Sequence, residues 1–221
     1  LMLGVAWASG INLYAAVLVL GLLGNAGYAE LPPALQVLQD PLVIGVAGIM
    51  YFIEFFADKV PAFNHVNDAI HTSIRIPAGA VMAAGAAQAF EVNQALELAA
   101  ALVGGGVAAT SHFTKAGSRL MINTSPEPVT NWTASIMEDV AVFGGLWAAL
   151  NYPLLFIGLL LLFLVLAIWL LPKIWRAVKR VVAKIRAWLR GNGQQPSEVA
   201  APPGMTEETP KLESRPTSES G

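Results

Sequence analysis

Residues 153–172 read PLLFIGLLLLFLVLAIWLLP. Two prolines bracket a run that holds no charge. About 20 helical residues cross the roughly 30 Å of bilayer hydrocarbon, so this run is one passage through a membrane. Its uniform apolar character predicts a lipid-facing, structural span. Directly after it, residues 173–190 read KIWRAVKRVVAKIRAWLR. Ile174, Val178, Val181, Val182, Ile185, Trp188 and Leu189 recur at helical spacing, while Lys173, Arg176, Lys179, Arg180, Lys184 and Arg190 fill much of the opposite face. This pattern predicts an amphipathic helix on the cytoplasmic leaflet that meets anionic lipids. From Gly191 to Gly221 the chain is Pro, Ser, Thr, Glu and Gly with almost nothing to bury. It reads as a disordered cytoplasmic tail.

Upstream the same logic repeats. The chain has 221 residues, 55% hydrophobic and only 13% charged, against about 25% charged in globular proteins. Mean hydropathy is +0.58. The net charge of -2 averages the basic segment against an acidic tail. Cysteine is absent, which excludes a disulfide framework, a thiolate metal site and a Cys nucleophile.

Five further segments can span: about Leu3–Leu23, Pro41–Ala57, Ile76–Phe90, Ala95–His112 and Trp132–Leu150. The first is too long for a signal-peptide core and lacks a basic flank, so it reads as a first span. The third and fourth are short and rich in Ala and Gly, which leaves a re-entrant pair open there. All thirteen Lys and Arg fall in three windows. These are Lys59 with Arg75, Lys115 with Arg119, and the segment from Lys173. With six spans, every one lies on one side together with both termini, as the positive-inside rule requires. The expected architecture is an all-α integral membrane protein of about six transmembrane helices with both termini cytoplasmic. Residues 1–172 form the polytopic domain, 173–190 the basic surface helix and 191–221 the tail. Glycines such as Gly79, Gly104 and Gly145 would let spans two to five pack closely as the bundle core.

Polar residues inside the spans are the candidate site. Glu54 and Asp58 are four apart, so they share a helix face at the end of span two. His112, Lys115 and Arg119 end span four. Glu138 and Asp139 lie about 10 Å into span five, where a charge costs at least about 2.5–3.5 kcal/mol. They should face the interior, pair with His112, Lys115 or Arg119, or be protonated. Glu127 lies between Pro126 and Pro128, which forbid a regular helix and predict a rigid, extended segment. His65, Asp68 and His71 recur every three residues on the loop from Val60 to Arg75 and form a weak metal-site candidate. The two halves also resemble each other weakly, as in a parallel internal repeat.

Several stretches together resemble a bacterial membrane family catalogued as domain of unknown function 4126. They are Ser9–Tyr14, Phe56–Pro61, Asn67–Ala69 with Arg75–Gly79, and His112 with Lys115–Arg119 through Asn123–Pro128 to Glu138-Asp139. The resemblance covers about residues 8–150, and span six lies outside it. It implies a bacterial inner membrane and brings no activity.

Three functions fit. The leading one is a small-solute or ion transporter or channel whose path is lined by Glu54, Asp58, His112, Lys115, Arg119, Glu127, Glu138 and Asp139. The second is a structural or regulatory membrane protein in which those charges only hold helices. The third is a membrane enzyme acting on lipid phosphates. No Ser-His-Asp set, Gly-rich phosphate loop or strong metal motif supports the enzyme, and no catalytic residue or cofactor is assigned. The expected partners are the bilayer, anionic lipids at Lys173–Arg190, and further copies of the chain. Nucleic acid is not expected.

Overall fold

The computed structural model describes residues 1–58, 61–122 and 128–191; of 61–69 and much of 178–191 only the backbone is described. Among the described residues there are six α-helices and no strand. They are α1 (Met2–Asn25), α2 (Pro41–Ala57), α3 (Pro61–Ala87), α4 (Gln94–Ile122), α5 (Pro128–Asn151) and α6 (Pro153–Gly191). Four helical stretches are long and apolar enough to cross a membrane: Met2–Asn25, Gln94–Ile122, Val129–Asn151 and Pro153–Ala177. The short 3-10 helix Pro33–Gln39 and α2 meet at 68° and together make a fifth candidate. The chain is a membrane protein.

Asp40 sets the entry to α2. Its carboxylate accepts the Leu42 amide at 2.7 Å, and Pro41 fills the first helical position, where no N–H is needed. Between α5 and α6 only Tyr152 is left outside a helix. The described α6 side chains are mostly exposed, with Phe156, Leu160, Ala167 and Ile174 making one buried stripe.

The boundaries of α3 and α4 differ from the sequence reading. The segment from Pro61 to Arg75, expected as a cytoplasmic loop, is the first half of α3. Likewise α4 continues past His112 to Ile122. Helix persists because the charges there are not solvated: Arg75, Lys115 and Arg119 are buried and bonded to groups on other helices.

The largest departure is α1. Asn12 has extended backbone angles (φ -147, ψ 97), which breaks the helix in two. Ser111 and Lys115, one turn apart on α4, donate to the carbonyls of Trp7 and Ile11, one turn apart on α1. The first half of α1 therefore runs parallel to α4. Lys115 pairs with Glu54 and Asp58, and Arg119 pairs with Asp58, so α2 also runs parallel to α4 there. The second half of α1 runs against α2, with Leu18 beside Gly48 and Gly21 beside Ile44. The two halves of α1 thus run in opposite senses, and Asn12 is the tip.

The ends of α1 agree with this. Leu1 and Met2 line a cavity of about 480 Å³ with Phe90, Val92 and Pro153, at the α3–α4 and α5–α6 turns. Gly21 packs on the Leu38 carbonyl, and Leu35, one 3-10 turn earlier, packs on Gly85 near the end of α3. Both ends of α1 lie at one end of the bundle. α1 is therefore a hairpin of two half-helices within the bundle. It also replaces the expected core: α1 is the central element, wrapped by α3, α4 and α5, whereas α2 buries only Ala47 and Glu54.

Candidate functional site

The tip of α1 meets a buried cluster of charges. It is built from one turn each of α2, α3, α4 and α5. On α4, Lys115 and Arg119 share a face. Lys115 Nζ donates to Glu54 Oε1 at 3.1 Å, Asp58 Oδ2 at 2.9 Å and the Ile11 carbonyl at 3.1 Å, and lies 3.3 Å from Glu138 Oε2. An ammonium has three hydrogens, and all three are used. The Ile11 carbonyl is available because α1 breaks at the next residue.

Arg119 grips Glu138 with two parallel bonds, Nε to Oε1 and Nη2 to Oε2, each 2.8 Å. Its Nη1 donates to the carbonyls of Asn131 and Asp58 at 3.1 and 3.3 Å. Arg75, on α3, bonds Glu54 Oε1. It is 0% exposed, and no acceptor for its Nε and Nη1 occurs among the described residues. His112 does not join a carboxylate. Its Nε2 lies 2.7 Å from the Thr72 hydroxyl. His71 stacks edge-on against Tyr14 at 5.4 Å.

Asp139 stands apart. It is 9% exposed, yet no Lys or Arg among the described residues forms an ion pair with it. Its partners are neutral: the Tyr51 hydroxyl donates to Oδ2 at 3.0 Å and the Asn12 amide to Oδ1 at 3.5 Å. Asn12 is oriented by its own helix. Its Oδ1 accepts the Ala15 amide at 2.9 Å, capping the second half of α1.

Above the cluster, α1, α3 and α4 meet without space. A Cβ on Gly10 would overlap the Ser111 hydroxyl and the Ala108 carbonyl oxygen. One on Gly79 would crowd Ala108 and Ser9. These contacts fix the tip of α1 against α4 and so place Ile11 over Lys115.

Of the expected site residues, the fold brings together Glu54, Asp58, Lys115, Arg119 and Glu138 as direct ion pairs. It places Asp139 beside them on a separate set of partners and gives His112 to Thr72. Glu127 lies outside the described residues, as do the side chains of His65 and Asp68. Among the described residues no group of three His, Cys, Asp or Glu could hold a metal. Sequence reasoning left out Asn12, Tyr51, Thr72 and Arg75. Asn12 carried a signal: it is a polar side chain in the middle of an apolar stretch, where burial demands a partner.

With this geometry the sequence finds its relatives. The chain belongs to the family described as domain of unknown function (DUF4126). The family model matches residues 1–173. No curated protein and no solved structure matches the chain. The DUF4126 match is wider than the resemblance over residues 8–150. It takes in the first half of α1 and the span after Pro153, so the whole bundle around the charge cluster is the family domain.

Proposed function

We propose that the chain is a multi-pass protein of a bacterial inner membrane that moves an ion or small solute past the charge cluster. One observation carries this reading: the helix α1 is discontinuous, and its break lies on the cluster. Half-helices that meet buried charges near mid-membrane are a common way of building transport sites, because each broken end offers free backbone groups and an uncompensated dipole. In this topology α1 is re-entrant, α2 to α6 cross, and the Lys and Arg outside the cluster face the cytoplasm with the C-terminus. Six crossings with both termini cytoplasmic would need a straight α1. The weak repeat gains support from charge spacing. Glu54 and Asp58 on α2 step in register with Lys115 and Arg119 on α4, with signs exchanged.

Anionic lipids are the proposed partner of the segment Lys173–Arg190. Lys173 lies 3.0 Å over the Trp169 ring, a cation and an indole paired where interfacial anchors belong.

The second reading is structural, and it rests on Lys115 and Arg119 being so fully bonded. Purified protein in liposomes separates the two. Transport predicts that a panel of monovalent ions and small neutral solutes shows flux of at least one, lost in Glu138→Gln that still folds. Flux of none would leave the structural reading.

A further inference from the structure

Four carboxylates lie at the cluster, and they are not alike. Glu54, Asp58 and Glu138 each touch a buried cation. Asp139 is held instead by a hydroxyl and an amide. A hydroxyl is both donor and acceptor. The Tyr51 hydroxyl can donate to the carboxylate and, by turning its hydrogen away, accept from the carboxylic acid. It therefore serves both protonation states with the same 3.0 Å contact.

We propose that Asp139 is a proton-binding site, taking up and releasing one proton at the tip of α1. An alkali cation fits less well, because Asn12 turns its N–H, not its oxygen, toward Asp139. The oxygen is committed to the Ala15 amide. The charges on the helices around Asp139 are engaged with one another. Asn12 on α1 is neutral. Tyr51 and Glu54 come from α2, one turn apart. Lys115 and Arg119 come from α4, and both are engaged by Glu138, the neighbour of Asp139 on α5. A proton arriving at Asp139 removes a charge that no cation among the described residues pairs with directly. Asn12 then loses the anion that its amide meets, so protonation bears directly on the bend of α1.

The site deepens the transport reading but is tested without it. Infrared difference spectra of the full chain in lipid, taken across a pH titration, should show the C=O band of one buried carboxylic acid. Asp139→Asn should remove that band, and Glu138→Gln should keep it. Tyr51→Phe keeps the ring and removes a bond that is stronger to the anion than to the neutral acid, so protonation should need about tenfold less acid, roughly one pH unit. A titration with no such band, or a band unchanged in Asp139→Asn, overturns the proposal. If Asp139→Asn does not fold, Tyr51→Phe decides, since an unmoved midpoint also overturns it. Proton binding without any flux in liposomes would sink transport and leave this site. Solute flux indifferent to Asp139→Asn, with no titrating band, would do the reverse.

Discussion

Lys115 is the residue on which the cluster turns. It touches three carboxylates and a backbone carbonyl, and it is buried. Such a cation is a weak source of net stability, because removing it from water costs several kcal/mol. Deleting it alone is different, since it strands Glu54, Asp58 and Glu138 with less compensation. Lys115→Met should destabilise the protein by about 3–5 kcal/mol. Adding Glu54→Gln removes one stranded charge while leaving an acceptor for Arg75. The double variant should therefore melt above the single Lys115→Met variant in detergent. Losses that simply add would mean that the two side chains do not act as a pair.

The element that matters is α1, and its shape depends on contact distance. Gly10 faces the Ala108 carbonyl and the Ser111 hydroxyl, and the first of these is backbone that cannot move aside. Gly10→Ala should push α1 off α4 and cost about 1–3 kcal/mol. Gly106, on the same helix α4 as those neighbours, has open space around it, with nothing within 4 Å of where a Cβ would stand. Gly106→Ala should be neutral or slightly stabilising, since Ala is the better helix former. Melting temperatures of the two variants in one detergent check the contrast. Equal effects would show that the tip of α1 is not held by close packing.

For the whole molecule, the bend of α1 is what the proposed topology rests on. The chain has no cysteine, so single-cysteine labelling reports one position at a time. Leu1→Cys, Tyr28→Cys and Glu91→Cys should all react with a membrane-impermeant thiol reagent from the same side. Arg176→Cys should react from the other. Labelling of Leu1→Cys and Tyr28→Cys from opposite sides would require α1 to cross.

Composition and hydropathy were enough to make this a helical membrane protein, because a bilayer demands long apolar helices and tolerates little else. The spacing of Glu54 with Asp58, and of Lys115 with Arg119, was enough to name most of the cluster, since buried charges must find one another. Two things were beyond the sequence. The charge rule is silent about α1, because no Lys or Arg precedes Lys59 and neither end of the helix is marked. Arg75 reads as a loop charge for the same kind of reason: a cation counts as solvated until its partner is known, and Glu54 lies on a different helix. Only the tertiary structure decided that α1 turns back at Asn12 and that Asp139 meets a hydroxyl instead of a cation. Both depend on which helix faces are brought together, and pairing between distant segments leaves no local signature in the chain.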